Sequence, residues 1–580
     1  MPSSVRFFSL LSYIAVASVG VAISAYLVSI RRAPLPREEI SALADATLLG
    51  EGRGAGSQES AAALPWPKAA IRVSAAPGTF DEPQVLKDFS KALVAALSGS
   101  DAEISVVDAP PKSLTTFEPC MRREGTAVEC LAALEQVTSK DSPVPPLDST
   151  FDLVLVPSDD CSALLLGTGR GAVLRWHRGS SLDVQRLAAS AATHLKATWL
   201  RPVSFEHSAA LFEVAPAYQL NFFLVGDCRR RVAWDFTSTV LAPYLRRFIE
   251  RLSLLFDLEM DSQVVQCGSL GTSLEPSEMA HQSKIGNLID VNMLQENFMR
   301  RTGDWPPDAL TRDARWLPPL IRLVAFKSAE PVHLVDAEGD DKSSFAVQGF
   351  GVVAVATCET GAFSLHEQLE NQSSTDFVST CEAQQVASAW VSSLRSWLAL
   401  PPDEPLGEIG VACDDAPNSP GGLALLAARP RLDGVADWEL RIVARAVHSL
   451  FVRRTAETLQ DLLVLVDSLP DVVVREEIGE VAFKAVSAAR GSLAAAEAGD
   501  IGQAIADARE ALTLALSASQ DDTVVGQLFF SWQFKWAVYL PLGLPVLVPI
   551  IVATIRDARS RFPLSKSQPS AREVPRDGQQ

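Results

Sequence analysis

The chain has 580 residues, room for two or three domains with sizeable cores. A formal net charge of −19 excludes a nucleic-acid binder, which needs a basic face. A hydrophobic content of 47% with 21% charged residues excludes a mainly disordered chain, and eight cysteines fit a few bridges in a large secretory-pathway domain rather than a disulfide scaffold.

In chain order, residues 1–6 form a short N-terminus that closes on Arg6. Phe7 to Ile30 then runs for 24 residues without a charge, with Arg31, Arg32 and Arg37 behind it. The apolar core of a signal peptide is usually about 7–15 residues, so this longer run reads as an uncleaved signal-anchor helix. Residues 31–67 are a juxtamembrane segment and linker. RAPLPREEI (32–40) reads as an extended exit from the membrane, and the Gly/Ser/Ala-rich stretch 49–63 as a flexible connection.

A first α/β region is expected over 68–215. Strand patterns fall at 69–76, 102–109, 151–158 and 171–177, with the third almost continuously apolar. Helix spacing at three and four marks 82–98 (Val85, Phe89, Leu93, Leu97) and 181–200 (Leu187, Ala191, Leu195). Residues 110–150 carry Cys120 and Cys130 without a clear period and read as a loop or insertion. A second α/β region follows over 216–400. YQLNFFLVGD (218–227) is a strand of aromatic and branched residues. Residues 234–256 read as a helix that Pro243 bends or begins, and 256–268 as an extended stretch. The stretches 315–328, 331–337 and 345–358 read as strands, the last two joined across Glu338–Ser344, and 381–399 closes the region as a helix. Alternating strands and helices argue for a mixed α/β layered fold. Cys358 and Cys381 flank a polar loop that a disulfide could close, as Cys120 and Cys130 could close theirs.

Residues 401–436 read as a Pro/Gly-rich linker, and 437–520 as a purely helical segment. There Asp437 caps one long helix, Pro470 lies beyond its end, and two Ala-rich helices (475–498 and 501–518) divide near Gly499-Asp500. Trp532 to Ile555 is the second long apolar run, interrupted by Pro541, Pro545 and Pro549. In the interior of a soluble helix each proline would cost ~3 kcal/mol, whereas in a membrane neighbouring helices can satisfy the freed carbonyls. The run therefore reads as a kinked transmembrane helix shaped for packing by its prolines. Arg556, Arg559, Arg561 and Lys566 follow at once and place residues 556–580 in the cytosol as a basic tail. With two spans the N-terminus is cytosolic too, and the bulk of the chain is lumenal. A GPI-attachment signal would end the chain with its apolar tail, whereas 25 residues follow Ile555 here.

Catalytic motifs are absent from this sequence: it has no HExxH, GxSxG, Walker loop, GxGxxG or CxxC. Its seven histidines show no metal spacing, and no cofactor is implied. His448 lies on a helix among Arg445, Arg453 and Arg454 and reads as part of a solvated face. Asn371-Gln372-Ser373 is the single N-glycosylation sequon, in a stretch expected to be lumenal, since Asn418-Ser419-Pro420 is disabled by its proline.

Four stretches together carry a family resemblance: RAPLPREEI (32–40), the block 218–265 from YQLNFFLVGD to DSQVV, the block 315–356 from RWLPPLIRLVAFKS to FGVVAVA, and 438–555, from WELRIVARAVHSLF to the proline-punctuated run. In order and spacing they resemble the PIG-S family, the phosphatidylinositol-glycan biosynthesis class S proteins, while 42–215 matches poorly. The resemblance implies a non-catalytic subunit of the GPI transamidase, which attaches GPI anchors to proprotein C-termini in the endoplasmic reticulum. It implies PIG-K, with cysteine-protease-like chemistry, PIG-T, PIG-U and the GPI anchor attachment protein as partners, together with membrane lipid and, indirectly, proprotein and GPI lipid. No catalytic residue carries over. A membrane-anchored glycan-processing enzyme and a secretory-pathway cargo or chaperone-like receptor are the alternatives that the residues leave open.

Overall fold

The computed structural model describes residues 33–48, 64–76, 83–98, 102–107, 126–138, 147, 150–159, 162–177, 183–203, 205, 213–227, 231–266, 287–290, 318–328, 332–335, 341–357, 375–400, 423–427, 434–468, 474–521, 541, 544–545, 548–549, 551–556 and 559. The chain divides into two compact units. One is Pro36–Asp461 with Val481–Ala518, and the other is Met1–Leu35, Leu462–Glu480 and Ser519–Gln580.

The larger unit holds two α/β sheets. In the first, β1 (Ala69–Ala75), β2 (Ala102–Val106), β3 (Thr150–Ser158), β4 (Ala163–Leu166) and β5 (Gly171–His177) lie in the order β2-β1-β3-β5-β4. All pairings are parallel except the β4–β5 hairpin. Helices α1 (Arg37–Leu48), α2 (Pro83–Ala96), α3 (Ala127–Thr138) and α4 (Val184–Ala197) accompany these strands in the chain. Ile71, Val73, Phe151, Leu153 and Leu155 alternate onto one face, where Phe89 and Leu93 of α2 and Ala188, Ala191 and Leu195 of α4 cover them. Asp183 starts α4 by accepting from the N–H groups of Gln185 and Arg186.

The second sheet contains β6 (Ala217–Gly226), then β7 (Arg231–Ala233) outside it, a π-helix (Thr237–Leu245), α5 (Arg246–Leu252) and β8 (Asp257–Val265). It continues after β9 (Asn287–Asp290) with β10 (Leu320–Lys327), and after β11 (Val332–Val335) and β12 (Asp341–Lys342) with β13 (Ser344–Val347) and β14 (Gly351–Val355). Its order is β8-β6-β10-β14-β13, again parallel except for the terminal β13–β14 hairpin. This is the order of the first sheet with β6, β8, β10, β13 and β14 in the places of β1 to β5. Details repeat as well. The N–H of Asp152 on β3 donates to Arg170 O at 2.9 Å, and the N–H of Arg322 on β10 donates to Phe350 O at 3.1 Å, in each case from the adjacent parallel strand to the last residue of the hairpin turn. Both hairpins re-enter the sheet on a glycine, Gly171 beside Asp152 and Gly351 beside Arg322. The larger unit is thus built from two copies of one α/β motif. A small sheet, β12-β11-β9, and a parallel pair of β7 with β15 (Thr375–Phe377) complete the strands around the second copy. It closes with α6 (Thr380–Trp397), which sends Val386, Trp390 and Leu394 into the core.

Several local readings are corrected. Residues 37–48, expected partly as an extended exit, form α1, and only 33–36 precede it without helix. The segment 110–150 contains α3, whose Thr126 and Glu129 exchange hydrogen bonds as a capping box. Cys130 on α3 is a buried thiol, so the Cys120–Cys130 bridge is not formed. Residues 345–358 form two strands rather than one, because Gly349 (φ +73°) and Gly351 (φ +152°) let the chain reverse between them. Pro243 sits inside the π-helix, where Arg246 N–H reaches back to Leu241 O; the wide turn accommodates a residue that cannot donate. Inside the expected linker 401–436 lies β16 (Ala424–Ala427), which pairs parallel with β4 as a sixth strand of the first sheet.

The helical segment comprises α7 (Asp437–Ser468), α8 (Glu476–Ala498) and α9 (Ile501–Ser519). Alpha-7 is shared between the two sheets. Trp438 and Ile442 enter the core of the first, while Leu440, Val443, Val447 and Phe451 enter that of the second. Alpha-9 adds Ile501, Ile505 and Leu512 to the second core. Leu43 of α1 meets Ala456, Ala489 and Ala511, where small side chains let the helices approach closely. In the smaller unit Ala33 N–H donates to Val474 O at 3.0 Å, and Pro34 O lies 2.9 Å from where a Cβ on Gly479 would stand. Among the described residues no helix is long and apolar enough to cross a membrane; residues 7–30 and much of 532–555 lie outside them.

The two glycines of the β13–β14 turn make a discriminating test. A Cβ on Gly351 would lie 1.8 Å from Arg322 O, whereas one on Gly349 would meet nothing within 4 Å. Gly351→Ala should therefore lower the stability of the purified full-length protein by at least ~3 kcal/mol, and Gly349→Ala by only ~1 kcal/mol, as read from thermal melting.

Candidate functional site: the polar junction around the shared helix

The entry to α7 is held by two arginines from the second sheet's helices. Arg251 of α5 donates to Val435 O at 2.8 Å and to the Asp437 carboxylate at 2.6 Å. Arg395 of α6 donates to Gly434 O at 2.6 Å and grips both oxygens of Glu439, at 2.8 and 2.9 Å. Glu439 also accepts from Ala436 N–H at 2.8 Å, and Asp437 N–H donates to Thr168 O in the β4–β5 turn, also at 2.8 Å. Arg251, Arg395 and Glu439 are at most 4% exposed. Ion pairs so deep hold only with complete geometry, and the bidentate Arg395–Glu439 fork supplies it. Gly434 is at φ +66° with the Phe248 ring where a side chain would begin, so the chain turns into the helix there on a residue that must be glycine. Asp437 is the first helical residue and an arginine partner rather than the cap; Ala436 takes the cap position, with Glu439 reaching back to its N–H.

A second junction closes the far end of β10. Lys327, 6% exposed, donates to Phe377 O at 2.8 Å, to Glu382 at 2.9 and 3.1 Å, and pairs with Asp376 at 3.1 Å. Glu382 simultaneously forms the capping box of α6 with Ser379. Beside it Cys381 is disulfide-bonded; Cys358, its expected partner, lies outside the described residues.

His448 corrects the sequence reading most sharply. It is 1% exposed, not solvated, because α7 is enclosed on all sides over this length. Its Nε2 lies 2.9 Å from Ser492 Oγ, which itself donates to Ala504 O at 2.7 Å. The serine proton is committed to a carbonyl, so His448 donates to the serine oxygen. A histidine acting as base would need the reverse. The Trp66 ring stands 5.2 Å away, and burial pulls the imidazole pKa down from 6.5 to about 4. The arrangement ties α7, α8 and α9 together. Among the described residues no group of three or more His, Cys, Asp and Glu side chains is placed to hold a metal.

The structure does not gather the residues singled out from sequence into one site. Pro541, Pro545, Pro549, Arg556 and Arg559 are helical and exposed, while Asn371, Arg561 and Lys566 lie outside the described residues. Sequence reasoning missed Arg251, Arg395, Glu439, Lys327 and Ser492. Glu439 alone carried a signal, a carboxylate three residues after a helix start.

These junctions and the hairpin beyond them fall in the part of the chain that has relatives. The sequence profile of PIG-S, phosphatidylinositol-glycan biosynthesis class S protein, matches residues 179–562. The chain belongs to the PIG-S family. The match takes in the second sheet, both junctions, the helical hairpin and the proline-punctuated run. The rat protein named GPI-anchor transamidase component PIGS (Rattus norvegicus) is 24% identical over 350 residues, covering 58% of this chain and 56% of the relative. The mouse protein of that name (Mus musculus) is 23% identical over the same shares. The human one (Homo sapiens) is 31% identical over 133 residues, 23% of this chain and 24% of the relative. The matched part spans about half the length of the rat and mouse relatives.

Two measurements test the junctions. Arg395→Met and Glu439→Gln should each lower stability by ~3–5 kcal/mol, and the double variant by clearly less than their sum, because each single change strands one buried charge. For His448, the unfolded chain takes up its proton near pH 6.5 and the folded chain only near pH 4. Stability is therefore complete above pH 6.5 and falls by ~3 kcal/mol as the pH drops to 4. His448→Gln retains a donor and should flatten that decline in pH-dependent melting.

Proposed function

We propose that this chain is a non-catalytic subunit of the GPI transamidase of the endoplasmic reticulum membrane. Residues 7–30 and 532–555 would span the bilayer, with the two α/β copies and the hairpin in the lumen and both termini in the cytosol. The observation that carries the reading is the family match, which runs unbroken from the second α/β copy through the hairpin into the last apolar run. The relatives' names make them transamidase components. The buried chemistry agrees with a scaffold: Lys327, Glu439 and His448 are all engaged in holding elements together. The partners proposed are PIG-K as the reacting subunit, PIG-T, PIG-U and the GPI anchor attachment protein. Arg556, Arg559, Arg561 and Lys566 would hold the tail in the cytosol, and Asn371 would carry a glycan.

Purifying the tagged full-length chain in mild detergent should recover those four subunits. Depleting it should leave GPI precursors and unprocessed proproteins accumulating while surface GPI proteins fall. A chain that purifies alone and hydrolyses a glycan would sink the proposal. Asn371→Gln should remove one glycan's mass; no change in mobility would remove the lumenal placement of that loop.

A further inference from the structure

The longest edge strand of the two α/β sheets is β8. It ends the second sheet with 9 residues, whereas β2 and β16 at the ends of the first have 5 and 4, and β13 has 4. The strand runs parallel to β6, and its Asp257 N–H donates to Pro216 O at 2.9 Å. By the alternation of a parallel ladder, Asp257, Glu259, Asp261 and Gln263 turn their backbone groups toward β6, and Leu258, Met260, Ser262 and Val264 turn theirs outward. The outward N–H of Ser262 donates to its neighbour, the Asp261 carboxylate, at 2.8 Å. Among the described residues nothing bonds to the outward N–H and C=O groups of Leu258, Met260 and Val264.

The two faces of this strand differ in chemistry. On one, Leu258 packs against the second core, while Met260 and Val264, in register with Leu220 and Leu224 of β6, are 47% and 42% exposed. On the other stand the carboxylates of Asp257, Glu259 and Asp261, the first of them exposed. Arg322 of β10 is two strands inward on that face and lies over the Phe350 ring. An open row of backbone donors and acceptors is a template for one more strand, and a soluble domain ordinarily shortens, bulges or charges such an edge. Here the edge is long and keeps apolar side chains on one side. Asp261 interrupts the row by holding one N–H, which limits indiscriminate pairing. Pairing with a second copy of β8 would set carboxylates beside carboxylates, which is unfavourable. The same carboxylates favour a strand that brings positive charge to that face.

We propose that the outward edge of β8 docks an extended segment of another polypeptide in which basic side chains alternate with apolar ones. The main chain of that segment bonds to Leu258, Met260 and Val264, its apolar side chains cover Met260 and Val264, and its Lys or Arg side chains meet the carboxylates of the opposite face. The inference goes beyond the subunit reading and uses neither the two spans nor the transamidase.

The test uses the purified full-length chain and a labelled peptide of alternating Lys and Val with blocked ends, read by fluorescence anisotropy. The peptide should bind saturably, and about tenfold or more tighter than its counterpart of alternating Glu and Val. Two versions, N-methylated at the valines alone or at the lysines alone, keep every side chain. The one whose methyl groups face β8 should lose about tenfold or more in affinity, and the other should keep it. Met260→Pro removes an outward N–H, which an edge strand tolerates, and should weaken binding about tenfold. The double variant Asp257→Lys, Glu259→Lys should weaken it by a similar factor. In native membranes a photo-crosslinking amino acid at Val264 should attach to another polypeptide, in a segment with the stated alternation. Equal binding of all the peptides, binding that neither N-methylation weakens, or attachment only within this chain or to a segment without that alternation would overturn the proposal. Recovery of transamidase subunits is a separate readout: its failure leaves this docking standing, and its success does not rescue it.

Discussion

The larger unit depends on how the chain enters α7. Two arginines from helices of the second sheet seize the two carbonyls and two carboxylates of residues 434–439, and the next turn of that helix delivers Trp438 and Ile442 to the first sheet. The ion pairs act on a segment whose position both cores require. In so dry a site the arginines are favourable only because strong acceptors surround them, the two carboxylates of α7 and the carbonyls of Gly434 and Val435 in the turn just before it. Removing one member leaves a buried charge and two misplaced cores, so the cost is expected to be cooperative rather than local.

Two copies of one motif need such a junction. Each copy is an open parallel sheet ended by an antiparallel hairpin, and the core of each takes in residues from outside its own segment. The second copy draws α7 and α9 from beyond residue 437, and the first draws β16 and the start of α7. Segments far apart in sequence therefore complete both copies. This makes the fold rich in long-range contacts and explains why the stretch between α6 and α7 is more than a linker.

The sequence made the individual elements legible where a period was clean. The strands near 69, 151 and 218, the helices near 83, 184 and 381, and all three late helices stand where their spacing puts them. The repeat was not legible, because order and polarity repeat while residues do not. Arg72 and Asp152 form an ion pair in the first copy at the positions that Asn221 and Arg322 hold in the second. His448 misled for a physical reason: a helix with Arg441, Arg445, Arg453 and Arg454 looks solvated, yet Arg441 lies over the Phe151 ring with its head on Pro67 O, and Arg454 reaches Glu213. Long cationic side chains can leave a buried helix by their tips, so charge along a helix does not locate water. The β13–β14 hairpin was hidden for the opposite reason, since its turn, Gln348-Gly349-Phe350, is too short and apolar to interrupt a strand pattern.

The junctions turn their polar groups inward. Lys327, Arg395, Glu439, His448 and Ser492 each have partners inside the chain. Apolar packing alone sets how much surface is buried but tolerates sliding of one helix along another, whereas a bidentate ion pair or a committed hydrogen bond has one geometry. The Arg395–Glu439 fork therefore fixes α6 against the start of α7, and His448 with Ser492 fixes α7 against α8 and α9. Because both cores draw on α7, a fixed position for that helix fixes the side chains it delivers to each of them.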